Sequence, residues 1–211
     1  ISTQRDLIAG EESRDFAARK IIPTHILNAH REGLIHFHDM DYVIHKIHNC
    51  QLIDLQDIMK NGTCINKKWI DPPKSFQTAC TLATQVSLQV ANGQYGGQTF
   101  SVSHLAPYVR VSYEKYKKKI KEETPELSDA AVEKLANRLL RDEVKSGVQT
   151  IQFQENTFSS SNGQTPFVSI FMYLDENPEY KKETALITEE TLKLRLLGMK
   201  NADGVYVTPA F

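Results

Sequence analysis

With 211 residues, 40% of them hydrophobic, the chain is long enough for one globular domain of ordinary size. Its formal net charge of -1 argues against a general nucleic-acid binder, which is normally basic. No apolar run approaches the roughly 20 residues that a membrane span needs, and the polar start ISTQRDLIAGEESRDF is no secretory leader.

The chain does not begin with Met, so it reads as a piece of something longer. Cys50, Cys64 and Cys80 form no CxxC pair. They fit a reducing cytoplasm better than a disulfide framework.

Residues 1–33 read as helix. Pro23 opens a second helical segment, and Gly33 serves as its C-cap. Residues 34–55 follow as a strand and its exit. In HFHDMDYVIHKIHNCQLIDL polar and apolar residues alternate, which places Tyr42, Ile44, Lys46, His48 and Cys50 on one face. A cysteine ending such a strand can be a nucleophile, a metal ligand or a donor of a proton or hydrogen atom. A free cysteine in an apolar strand is also commonly a small buried hydrophobe. Asp54 is a candidate N-cap for a short helix closed by Asn61-Gly62, and residues 69–74, WIDPPK, read as loop.

Residues 75–91 show helical spacing. Phe76, Leu82, Val86 and Val90 form one stripe, and Thr78, Thr81, Gln85 and Gln89 form a polar one. That polar stripe is either the outer face of a packed helix or the lining of a ligand pocket. Residues 92–107, rich in Gly and Gln, read as a loop where backbone approaches something closely. They match neither GxxxxGK[ST] nor GxGxxG.

A lysine-rich helix is expected over residues 107–122 and breaks at Thr124-Pro125. Ser128 caps a second long helix ending near Ser146-Gly147, so the two make an antiparallel pair able to pack on a second subunit. Residues 148–155 alternate and read as strand, 159–164 as a polar turn, and 167–174 as a buried strand. Residues 177–197 read as helix, and a last strand starts at Gly204. Strands alternating with helices give an α/β class with a barrel-like sheet.

Three stretches in order, HDMDYVIHKIHNCQLIDL, PKSFQTACTLATQVSLQVANGQYGGQTFS and SSNGQTPFVS, resemble the anaerobic (class III) ribonucleoside-triphosphate reductases. The likeness extends over essentially the whole chain. It implies an α/β fold that is part of a ten-stranded barrel of the glycyl-radical type, here the first half-barrel plus helices. Residues 1–211 would be the N-terminal part of the catalytic barrel domain. An ATP cone would precede Ile1, and the finger loop, zinc site and glycyl-radical loop would follow Phe211, so the isolated piece is expected to be inactive.

The resemblance also implies roles. Cys50 matches the family's first-strand cysteine, which donates a proton or hydrogen to the substrate opposite the face that the radical attacks. Asn49 and Gln164 are candidate substrate contacts, and Gln85 and Lys117 candidate effector contacts; Cys64 and Cys80 are read as structural. The implied cofactors are a glycyl radical installed by an iron–sulfur, S-adenosylmethionine-dependent activating enzyme, zinc, ATP and deoxynucleotide effectors, and formate as reductant. The implied partners are a ribonucleoside triphosphate, that activating enzyme and a second copy in a cytoplasmic homodimer, with no nucleic acid and no membrane.

Two other readings stand beside this one. His36 and His38 on one strand face would suit a metal-dependent hydrolase, although no HExxH motif is present. A non-catalytic fragment that dimerises through residues 107–147 is the other.

Overall fold

The computed structural model describes residues 2–45, 49–93, 96–160 and 165–208. The chain opens with α1 (Ser2–Phe16), which runs on through a π-helical turn, Ala17–Ile21, to α2 (Thr24–Arg31). Pro23 stands at the N-cap of α2, as expected. Gly33 adopts φ 75°, Leu34 N–H donates to the Ala29 carbonyl and Gly33 N–H to that of His30, a Schellman ending.

The long strand expected from residue 34 does not form. Asp39 takes a left-handed φ of 50°, and Tyr42 N–H and His45 N–H donate backward to Asp39 and Tyr42 in successive turns. Alternation needs a neighbouring strand, and residues 34–45 instead bury Met40 against Ala17, Ile22 and Leu27. Residues 46–48, part of the proposed strand face, lie outside the described residues. Among the described residues, pairing begins at β1 (Gln51–Leu52).

Asp54 caps α3 (Leu55–Asn61) by accepting from Asp57 N–H. A hairpin of β2 (Thr63–Ile65) and β3 (Lys68–Ile70) follows, so Trp69 and Ile70 are strand and the expected loop is confined to the residues after them. Ser75 caps α4 (Phe76–Ala91), and Phe76, Leu82 and Val86 are buried as their spacing predicts. The stretch read as a loop holds β4 (Gln98–Ser101), the central strand of a parallel sheet ordered β1–β4–β5, with β5 at Val168–Phe171. Of β5 only Val168 is buried; Phe167 and Phe171 stand exposed, so it is not the buried strand expected.

The lysine-rich helix is α5 (Ala106–Glu123), and Ser128 caps α6 (Asp129–Thr157). Lys121 pairs with Asp129 and Lys117 with Glu133, so sequence runs in opposite directions along the two helices and they are antiparallel. Helix α6 does not stop at Gly147. Val148, Ile151, Gln152 and Glu155 continue one buried stripe at spacings of three and four, so the expected strand at 148–155 is helix. Gly147 is a contact point rather than a terminus: a Cβ there would lie 2.6 Å from Phe76 Cε1 and 2.9 Å from Cys80 Sγ.

After a 3₁₀ turn, Pro178–Tyr180, comes α7 (Lys181–Leu197), ending at Gly198 with φ 80°. A small hairpin, β6 (Met199–Lys200) with β7 (Tyr206–Val207), closes the described chain. The main core lies between the parallel sheet and helices α4 to α7, centred on Phe76, Leu105, Val109, Val144 and Ile187. Polar groups also lock it. The Glu143 carboxylate on α6 accepts from Gln77 N–H at the start of α4 and from the Ser112 hydroxyl of α5, which itself accepts from Phe76 N–H. An anion at a helix N-terminus is favourable, so Glu143 joins three helices at one point. Arg110 ties α5 to α7 through Glu183 at 2.8 Å and stacks over Tyr180. Overall the fold is mixed α/β with small sheets.

Candidate functional site

The entry to β1 is set by its neighbour. Gln51 N–H donates to the Gly97 carbonyl and Ile53 N–H to the Thr99 carbonyl, so the strand is held against β4 from its first residue. Cys50 therefore stands just before a strand, not at the end of one. Its thiol is exposed, with Sγ 3.4 Å from the Asn49 amide oxygen, to which it donates. On the other side of β4, Gln98 N–H donates to the Phe167 carbonyl. The starts of all three parallel strands thus lie level with one another, and Cys50 is at that level.

Two glycines make this convergence possible. A Cβ on Gly96 would come within 2.7 Å of the Asn49 carbonyl carbon, and one on Gly97 within 2.7 Å of Phe167 Cδ1. The close backbone approach expected of this glycine-rich stretch is what the fold uses, although within a strand entry and not a loop. A cleft of about 690 Å³ opens beside it. Gly96, Gly97 and Phe167 form one wall; Asp41, Tyr42 and His45 form another, against α1.

Beneath the sheet lies a buried polar chain. Ser87 Oγ on α4 donates to Glu155 Oε2 on α6 at 2.8 Å, and Gln98 Nε2 on β4 donates to the Ser87 carbonyl at 2.8 Å. Glu155 and Gln98 are 3% and 1% exposed, and Oε1 of each has no hydrogen-bond partner among the described residues. Burial pushes the Glu155 carboxyl up to about 7, against the opposing hydrogen bond from Ser87. At the far end of β4, Ser101 and Ser103 donate to the Glu176 carboxylate, with His104 nearby. Burial raises Glu176, and these two hydroxyls with His104 outweigh it, leaving the carboxyl below its usual range. Neither cluster is visible to motif reasoning. The available signal was polar residues at helical spacing, Gln152 and Glu155 following Val148 and Ile151.

The other candidates are dispersed. Gln85 is on the exposed face of α4, so the polar stripe there faces outward from this chain. Lys117 is engaged within the helical pair, 3.8 Å from Glu133 and over the Tyr113 ring at 5.3 Å. Gln164 lies outside the described residues. Cys80 is fully buried, which pushes its thiol well above the usual range and suits a packing role; Cys64 is exposed on β2. His36 and His38 are not on a strand. Their rings are hydrogen-bonded to each other at 3.2 Å, and the described residues contain no group of three ligands able to hold a metal. No helix among the described residues is long and apolar enough to cross a membrane.

The chain is 37% identical to the anaerobic ribonucleoside-triphosphate reductase of Haemophilus influenzae over all of its length, and 37% identical to that of Escherichia coli over 94% of it. It is 36% identical to the enzyme of the same name from Enterobacteria phage T4 over 99% of its length. It spans only 29%, 27% and 33% of those relatives' lengths, respectively. The family model described as anaerobic ribonucleoside-triphosphate reductase matches residues 1–211. A cysteine exposed at the entry to the first strand of a small parallel sheet thus sits in a chain that, from end to end, belongs to the anaerobic ribonucleoside-triphosphate reductase family.

Proposed function

We propose that the longer polypeptide carrying this chain reduces ribonucleoside triphosphates to deoxyribonucleoside triphosphates for DNA synthesis, in the absence of oxygen, with Cys50 as the active-site thiol supplied here. The observation that carries the reading is the exposed thiol held level with the strand starts by the Gln51–Gly97 hydrogen bond. Glycyl-radical chemistry, originating outside these residues, would remove the 3′ hydrogen of the ribose. The 2′ hydroxyl then leaves as water and needs a proton. Cys50 donates it, because a thiol is acidic enough to give a proton and has a weak S–H bond. Asn49 accepts from the thiol and is the first proposed substrate contact; Gln164 is the second.

The sheet fits one part of a ten-stranded barrel, since β1 and β5 are both edges among the described residues. On this reading residues 1–211 are the N-terminal part of the catalytic domain. The ATP cone precedes them; the finger loop, zinc site and radical loop follow. Formate would be the reductant, an iron–sulfur, S-adenosylmethionine-dependent enzyme the activator, and the cytoplasm the compartment. The full-length protein, activated without oxygen, is expected to convert ribonucleoside triphosphates to deoxynucleotides in a formate-dependent way. No product from a protein with full radical content would refute the proposal.

Helices α5 and α6 are proposed to form a homodimer surface near a deoxynucleotide effector site, with Gln85 and Lys117 as contacts. Lys117→Glu should weaken effector binding about tenfold by placing a like charge near phosphate. Because Lys117 also pairs with Glu133, the double variant Lys117→Glu/Glu133→Lys is the control. It restores the pair without restoring a cation at the same place. Effector affinity unchanged in the single variant removes Lys117 from the site.

A further inference from the structure

The buried chain Glu155–Ser87–Gln98 ends on the strand entry that holds Cys50. The Gln98 main chain ties β4 to Phe167, and its neighbour Gly97 accepts from Gln51, next to the thiol. The Gln98 side chain anchors this point to α4 through the Ser87 carbonyl, and the Ser87 hydroxyl reaches Glu155. A buried carboxylate with no cation is costly, and among the described residues no charged group pairs with Glu155. The groups that meet it are hydroxyl and amide: Ser87 from α4 and, through Ser87, Gln98 from β4. Among the described residues, Oε1 of Gln98 lacks a donor and Oε1 of Glu155 lacks a partner, while the two side chains meet the same serine at its carbonyl and its hydroxyl, respectively.

We propose that Glu155 is a positioning residue for the Cys50 thiol, acting through Ser87 and Gln98 on the start of β4. The inference rests on Cys50 being the active-site thiol. Glu155 touches neither thiol nor substrate. It fixes the β4 entry against which Cys50 is placed, and a displacement of about 1 Å there can cost two orders of magnitude in rate. As pH rises through about 7, Glu155 ionises into a buried charge with no cation beside it among the described residues, which loosens the Ser87 link to the β4 entry, so turnover falls on the alkaline side.

The test uses the full-length enzyme, activated to equal radical content, with turnover and KM followed between about pH 6 and pH 9. Glu155→Gln keeps the shape and an oxygen to accept from the Ser87 hydroxyl, and it does not ionise. It should turn over within about twofold of the parent at the acid end and lack the fall near pH 7. Glu155→Ala should lose about tenfold or more in turnover with KM little changed. The inference is overturned if Glu155→Gln is as slow as Glu155→Ala, or if Glu155→Ala matches the parent. Should Glu155→Ala fail to fold, the parent and Glu155→Gln decide alone: the same alkaline fall in both overturns it. Cys50→Ser is run alongside. Background yield there with both Glu155 variants like the parent sinks this inference only, whereas near-normal yield from Cys50→Ser removes the reading on which it rests.

Discussion

Cys50→Ser in the full-length enzyme is expected to abolish deoxynucleotide formation while leaving fold and radical intact. The thiol is exposed, and its described partner is the Asn49 amide oxygen at 3.4 Å. A hydroxyl of similar size can make the same contact, so stability should change by about 0.5 kcal/mol or less, as for other surface substitutions. Chemistry is different. The serine O–H bond is much stronger than S–H and the hydroxyl is a far weaker acid, so neither a hydrogen atom nor a proton is given readily. The reaction should stall after loss of the 3′ hydrogen, with released base as the sign. Electron paramagnetic resonance and product yield on one sample decide the matter. Full radical with near-normal yield would reduce Cys50 to a strand-entry thiol without a catalytic part.

The second large effect is structural. Gly147→Val should destabilise the protein by about 3 kcal/mol or more, the upper end for overpacking a tight core. Its Cβ alone would stand 2.6 Å from Phe76 Cε1 and 2.9 Å from Cys80 Sγ, and both partners are fully buried. Neither can retreat, because Phe76 also begins α4, where its N–H is bound to Ser112. Gly147→Ala should cost less, since better helix propensity offsets part of the clash. Adding Phe76→Leu to Gly147→Ala should recover part of the loss and so expose the coupling between the two positions. Thermal unfolding of the full-length variants measures this. A midpoint for Gly147→Val equal to that of the parent would mean α4 and α6 do not meet at this glycine.

The same glycine shows where sequence reading reached its limit. Near the end of a helical pattern, Gly normally marks a stop, and Gly33 and Gly198 behave that way, each with φ in the left-handed region. Gly147 differs in what lies across from it, Phe76 and Cys80 of α4, and these are about 70 residues earlier in the chain. The caps at Asp54 and Ser128 were legible because each is a contact across three residues. The stripes of α4 and the first part of α6 were legible because apolar side chains fill them.

What the sequence determined by itself, then, was local: helix starts, apolar stripes, the turn glycines, and a family likeness resting on long ordered stretches, one of which contains Cys50. Tertiary structure decided the elements whose core positions are polar. Glu155 and Gln152 disguised the end of α6 as a strand, and Gln98 and Ser101 disguised the central strand as a loop. A buried polar side chain is affordable only when a partner satisfies it. For Gln98 and Glu155 that partner is Ser87, on an element that no local pattern connects to either. The alternation before Cys50 failed for the converse reason: a strand pattern without a neighbouring strand has nothing to accept its hydrogen bonds, so residues 34–45 turned back on themselves and packed on α1 and α2.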